Sequence, residues 1–126
     1  MIHNLIGWVE IPVTNTQRAI TFYKSVFDIE MQVQDMGVLQ MAFFPVVENT
    51  AGSSGALVQH PEFYKPSQDG ALVYFTAFSG DLQIELDRVE KAGGKVLIPK
   101  RQISPDHGYM GVFLDTEGNR IALHSK

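Results

Sequence analysis

Gly7-Trp-Val-Glu-Ile-Pro-Val-Thr-Asn-Thr-Gln-Arg-Ala-Ile-Thr-Phe-Tyr-Lys-Ser-Val-Phe27 is the stretch on which the fold reading turns. Over residues 8–13, Val9, Ile11 and Val13 fall on one face and Trp8, Glu10 and Pro12 on the other. That period of two is expected of a half-buried strand. Thr14 then opens a Thr-x-x-Gln pattern, in which Thr14 is the expected N-cap and Gln17 reaches back to it. Ala19, Phe22, Tyr23 and Val26 follow at helical spacing. The unit reads as strand, capped turn and amphipathic helix.

The same unit recurs downstream. Residues 73–78 read as a strand, Ser79-Gly-Asp81 as turn and cap, and Leu82, Leu86 and Val89 as a helical stripe. Matching Val13 to Phe78 gives an offset of 65, and matching Val26 to Val89 gives 63, so half the chain repeats with a slipped turn. Between the units the pattern predicts strands within residues 28–34, 38–44 and 55–59. After the second helix, about residues 82–92, it predicts strands at 95–99, 109–114 and 119–125. Residues 100–108 read as a polar loop. The Pro- and aromatic-containing linker 60–70 is expected to pack as a lid. The order is βαβββ twice: module one about 1–60, module two about 70–126, in one domain spanning 1–126. With one helix per four strands, each sheet keeps a face that its helix leaves uncovered. Two such α+β mixed sheets, curved toward each other within the chain or across a dimer, enclose a concave cavity for a ligand.

Composition narrows the function. A net charge of −4 offers no basic field, so neither nucleic acid nor an anionic membrane is expected as a partner. The absence of cysteine removes disulfides, thiolate nucleophiles and cysteine metal sites. Residues 1–6 lack the features of a signal peptide, and no apolar run is long enough to span a bilayer, so a cytoplasmic location is expected. No Gly-rich phosphate loop follows a strand, and no serine sits in an elbow motif.

The doubled βαβββ order, the strand-turn-helix opening through Ala19-Ile-Thr-Phe-Tyr-Lys-Ser-Val-Phe27, and the closing Phe113-Leu-Asp-Thr-Glu-Gly-Asn-Arg-Ile-Ala-Leu123 resemble the vicinal oxygen chelate superfamily. That superfamily includes glyoxalase I, bleomycin-resistance proteins and extradiol dioxygenases, and the chain looks most like its glyoxalase-like, lactoylglutathione-lyase-related group. Thr116 stands where the closing motif usually has proline. The resemblance implies the glyoxalase/bleomycin resistance/dihydroxybiphenyl dioxygenase fold, a chain that pairs as a homodimer, and four metal-ligand slots. Carried over by position, the slots fall at Trp8, near Ala56 or Leu57, at Val73 and at Ala122. None of these side chains ligates a divalent ion, so no metal or other cofactor is expected, and metal-dependent glyoxalase I chemistry is not.

What remains is a small-molecule ligand in the cavity. Trp8 and Phe75 are expected to form its apolar wall, shielded from water, with Tyr64 and Tyr109 at the mouth. Glu10 falls on the Trp8 face, where it either pairs with Arg120 and orients a ligand or, desolvated, serves as a catalytic base in a metal-independent lyase or isomerase. His124 is read as a ligand contact, an acid or base, or a surface cap. His60, together with Glu10 and His124, could form a displaced metal site; His3 and His107 read as surface residues. Three functions stay open: small-molecule binder, metal-independent enzyme, and non-catalytic dimeric module.

Overall fold

The computed structural model describes residues 3–126; Met1 and Ile2, at the start of the N-terminal stretch read above, lie outside them. The described residues form β1 (Val9–Pro12), α1 (Thr16–Phe27), β2 (Gln32–Met36), β3 (Leu39–Phe43), β4 (Gly55–Gln59), β5 (Val73–Thr76), α2 (Leu82–Val89), β6 (Lys95–Ser104), β7 (Gly108–Leu114) and β8 (Arg120–Ser125). They build two four-stranded mixed sheets, ordered β1-β4-β3-β2 and β5-β8-β7-β6. In each, the first strand runs parallel to the last strand of its module, and the remaining pairs are antiparallel. This is the doubled βαβββ architecture.

The repeat is visible in its hydrogen bonds. In module one the Thr16 amide and hydroxyl donate to Gln59 Oε1 at the end of β4. In module two the Leu82 amide donates to Ser125 Oγ at the end of β8. Asn15 and Asp81 are the N-caps, their side chains accepting from Arg18 N and Gln83 N. The cap of α1 is therefore Asn15, one residue later than the expected Thr14, whose amide and hydroxyl go instead to Glu117. Helix α1 ends at Asp28 in the left-handed region, φ 55°, with its amide returning to Lys24 O. Helix α2 stops at Val89 and unwinds through turns to Gly93 at φ +104°, a conformation favouring glycine.

Strand β6 runs on to Ser104, through most of the segment read as loop. Register shifts flanking Pro99 let it continue despite the missing amide. Strand β2 is an exposed edge that starts at Gln32, late in the predicted stretch 28–34, because Ile29 and Met31 pack against the core before pairing begins.

One core joins both modules. Val13, Ala19, Phe22, Tyr23, Val26 and Leu57 of module one pack with Leu82, Leu86, Val89, Phe113, Ile121 and Leu123 of module two. Each large side chain shielded there contributes about 1.5–3 kcal/mol. The opposite sheet faces carry two separate clusters: Met41, Ala56 and Val58 on the first, Met110, Val112 and Ala122 on the second. Within the chain, then, the helix-bearing faces share a core and the other faces do not pack on each other.

Polar locks reinforce this core. Tyr23 OH donates to Asp115 Oδ2 at 2.7 Å inside it, and burial first, then the neighbouring Asp115, push the phenol well above its usual range. Asn119 Nδ2 donates to Pro12 O at 2.7 Å. Glu117 accepts from the amides of Thr14 and Asn15 and from Arg18 Nε at 2.7 Å. The closing Asp-Thr-Glu-Gly-Asn turn of module two thus clamps the start of α1 in module one.

Candidate functional site

Alternation along β1 puts Ile11 and Val13 into the shared core and leaves Trp8, Glu10 and Pro12 on the other face, as read from the sequence. Across that sheet Glu10 lies opposite Ala56, and Ala56 opposite Phe43. The Trp8 ring packs against Phe43, centroids 6.1 Å apart. Its Nε1–H donates to Glu10 Oε2 at 3.2 Å, and Tyr64 OH donates to Glu10 Oε1. That carboxylate is the first cause holding the Tyr64 phenol above its usual range. Tyr64 comes from the linker, which an isolated bridge between His60 and Tyr64 folds back over Met41, Ala56 and Val58. The linker is therefore a lid on the first sheet.

Beside this cluster a groove of about 1120 Å³ opens along β1 and β5. Its apolar lining includes Ile11, Phe27, Ile29, Phe44 and Phe75, and its polar lining includes Glu10, Lys65 and Arg120. Exposed apolar side chains line it as well: Ile6, Trp8, Val46, Val47, Tyr74 and Phe78.

The structure distributes the sequence-read site residues unevenly. Trp8, Glu10, Phe75 and Arg120 all line the groove, and Tyr64 reaches it through Glu10. Phe75, however, is on the helix-bearing face of its sheet, stacked on Phe27 at 4.9 Å and against Phe44 at 5.4 Å, so it is part of the floor rather than a wall beside Trp8. The reason is parity. The amides of Val13 and Ala77 make equivalent bonds to Val58 O and His124 O, so the true strand offset is 64 rather than 65. One residue of slip reverses every side chain: Tyr74, not Phe75, is the counterpart of Glu10, and Tyr74 lies opposite Ala122. Tyr74 and Phe43 are the residues sequence reasoning missed; counting outward from the β8 pairing would have found Tyr74.

Other expectations change too. Glu10 and Arg120 form no ion pair among the described residues; Glu10 uses Trp8 and Tyr64 instead. Glu10 is exposed, and Trp8 is 45% exposed, so neither is shielded from water: among the described residues no second sheet covers this face. Tyr109 packs against the shared core beneath Lys100, whose ammonium is 4.7 Å from the ring centroid, and does not line the groove. His124 Nε2 contacts His107 O at 2.6 Å and sits in the row of Thr76 and Met110, away from Glu10. His60 Nδ1 accepts from the amides of Glu62 and Phe63.

The metal-ligand slots fare likewise. Ala56 and Ala122 belong to the clusters opposite the helices, while Leu57 packs in the shared core and Val73 takes the same parity as Phe75. At the offset of 64 the counterpart of Trp8 is Leu72, which packs on the outer-face cluster of the second sheet and is no divalent-metal ligand either. Among the described residues no group of three or more His, Asp or Glu is placed to hold a metal, the trio of Glu10, His60 and His124 included. The donor set does not fit the metal that the resemblance implies.

Comparison with solved structures places the fold. The chain superposes on a glyoxalase I variant from Zea mays with a TM-score of 0.74 at 16% identity, covering 94% of this chain and 46% of the maize protein, so it spans about half that protein's length. It superposes on a glyoxylase/bleomycin resistance protein/dioxygenase domain from Frankia sp. EAN1pec with a TM-score of 0.72 at 17% identity, over 97% of both chains. A fosfomycin resistance protein from Listeria monocytogenes gives 0.67 at 17% identity, over 100% of this chain and 93% of that one. In sequence, the chain is 29% identical to a glyoxylase-like domain-containing protein of Didymella fabae across 98% of its own length and 94% of the relative's. The family model of the Glyoxalase/Bleomycin resistance protein/Dioxygenase superfamily matches residues 5–123, and the chain belongs to that superfamily.

Proposed function

We propose that this chain binds a small, planar and largely apolar molecule in the groove between β1 and β5. The observation that carries the reading is the groove itself: about 1120 Å³, floored by Phe27, Phe44 and Phe75, and flanked by the half-exposed Trp8 beside an oriented carboxylate. Aromatic floor and wall supply contact area, while Glu10 and Arg120 set the ligand's direction. A second copy of the chain closes over the apolar rim. The open edges of β1 and β5, each paired on one side only, and the exposed Ile6, Val46, Val47 and Phe78 support such a homodimer.

A second reading rests on Glu10. Each of its oxygens accepts one hydrogen bond, from Trp8 or from Tyr64, so the carboxylate is held in one orientation with a lone pair of each oxygen left over. That geometry also serves a general base in a metal-independent lyase or isomerase. Calorimetric titration against a library of planar compounds, with product analysis of each mixture, separates the two. Stoichiometric binding without turnover supports the binder. Turnover lost in Glu10→Gln with the fold intact supports the base. A library in which no compound binds or reacts overturns both.

A further inference from the structure

The groove holds an acidic group without an internal counter-ion. Glu10 Oε2 accepts from the Trp8 indole at 3.2 Å, and Oε1 accepts from Tyr64, which lies 54 residues away on the lid. Both donors are neutral, so they orient the charge without cancelling it. The ion pairs among the described residues are Arg18–Glu117, Lys24–Glu30 and Lys100–Asp81; none involves Glu10. Arg120 and Lys65 line the same groove without reaching it.

Each ligand class meets this end of the groove differently. A neutral apolar group covering Glu10 would strip water from a carboxylate and return no counter-charge, which is costly. An anionic group seated on Glu10 would meet like charge, and the cations of the lining, Arg120 and Lys65, make no ion pair with Glu10 that would offset it. A cationic nitrogen would pair with the remaining lone pairs of Glu10. It would form charge-assisted hydrogen bonds there, next to the Trp8 N–H that already orients the carboxylate.

Resting on the reading of the groove as a small-molecule site, we infer that its ligand carries a cationic nitrogen, an ammonium or similar group, seated on Glu10 beside Trp8, with the planar body along the floor of Phe27, Phe44 and Phe75. Arg120 and Lys65 line the same groove without pairing with Glu10, which leaves the carboxylate open to the ligand's cation.

The test is a matched pair of probes, naphthylmethylammonium and naphthylmethanol, which share a ring system and differ in charge. Both are titrated calorimetrically into the full chain, wild type and Glu10→Gln, at low and high salt. The wild type is expected to bind the ammonium at least about tenfold more tightly than the alcohol, with the preference shrinking in high salt. In Glu10→Gln the ammonium is expected to fall to the alcohol's affinity, while the alcohol changes less than about twofold. If the alcohol binds the wild type as tightly as the ammonium, the cation inference is overturned and the small-molecule reading stands. If neither probe binds, both are overturned. The wild-type comparison decides even if the variant misfolds.

Discussion

Replacing Glu117 by Gln should uncouple the two modules. The Glu117 side chain is fully shielded from solvent. Its oxygens accept from Arg18 Nε at 2.7 Å and Nη2 at 3.0 Å, and from the amides of Thr14 and Asn15, both at 2.9 Å. Burial by itself would raise the carboxyl, but the Arg18 guanidinium, the two amides and the Thr116 hydroxyl outweigh it and hold it at about 2, against an ordinary 4.5. A difference of that size corresponds to about 3 kcal/mol of folding stability at neutral pH. Glutamine keeps an acceptor oxygen but loses the charge, so the variant should lose about 2–3 kcal/mol near pH 7. Because the folded-state value is depressed, this stability is fully present above the ordinary carboxyl value and is lost as pH falls toward the folded value of about 2. Urea unfolding followed by far-UV circular dichroism, near pH 7 and again near pH 3, reads both effects: the gap between wild type and variant should narrow on acidification. Indistinguishable midpoints near pH 7, or a gap that widens in acid, would refute the reasoning.

Three further outcomes are expected. Elemental analysis after dialysis against metal-free buffer should find well under one divalent metal ion per chain, because the slots implied by the superfamily carry no ligating side chain; about one ion per chain contradicts this. Light scattering at micromolar concentration should report a particle of about 28 kDa, twice the 14.0 kDa chain, if a second copy closes the groove rim, and a 14.0 kDa particle rejects the dimer. Gly55→Ala should destabilise by about 1–3 kcal/mol in thermal or urea unfolding, because the added Cβ would sit 2.0 Å from Val9 O and force β1 away from β4; a neutral substitution would show that this edge yields.

The doubled βαβββ order was legible because each module repeats a two-residue alternation, a capped turn and a helical stripe, and these local signals agree with the packing. What alternation does not carry is absolute register between repeats. The second strand-to-helix turn is two residues longer, since Val13 pairs like Ala77 while Asn15 caps like Asp81. Matching Val13 to Phe78 split that difference and turned Phe75 to the wrong face. Glu10 and Trp8 were legible because both lie on a strand whose faces differ plainly in character. Their mutual hydrogen bond and the Tyr64 contact were not, since Tyr64 arrives from a linker with no periodicity to place it. The Glu10–Arg120 pair was inferred from shared faces alone, which fixes orientation but not distance. Strand β6 was cut short because a Pro and a polar run read as a loop, whereas register shifts near Pro99 let pairing with β7 resume.

The central claim, a binding groove walled by Trp8, is tested most directly by that residue's own emission, since it is the one tryptophan in the chain. Planar compounds titrated into the wild type should quench it saturably, and Trp8→Ala, still folded by circular dichroism, should bind the same compound more weakly by about 1–3 kcal/mol in calorimetry. If no compound in a broad panel perturbs the emission and Trp8→Ala unfolds, Trp8 is a packing residue and the account is contradicted.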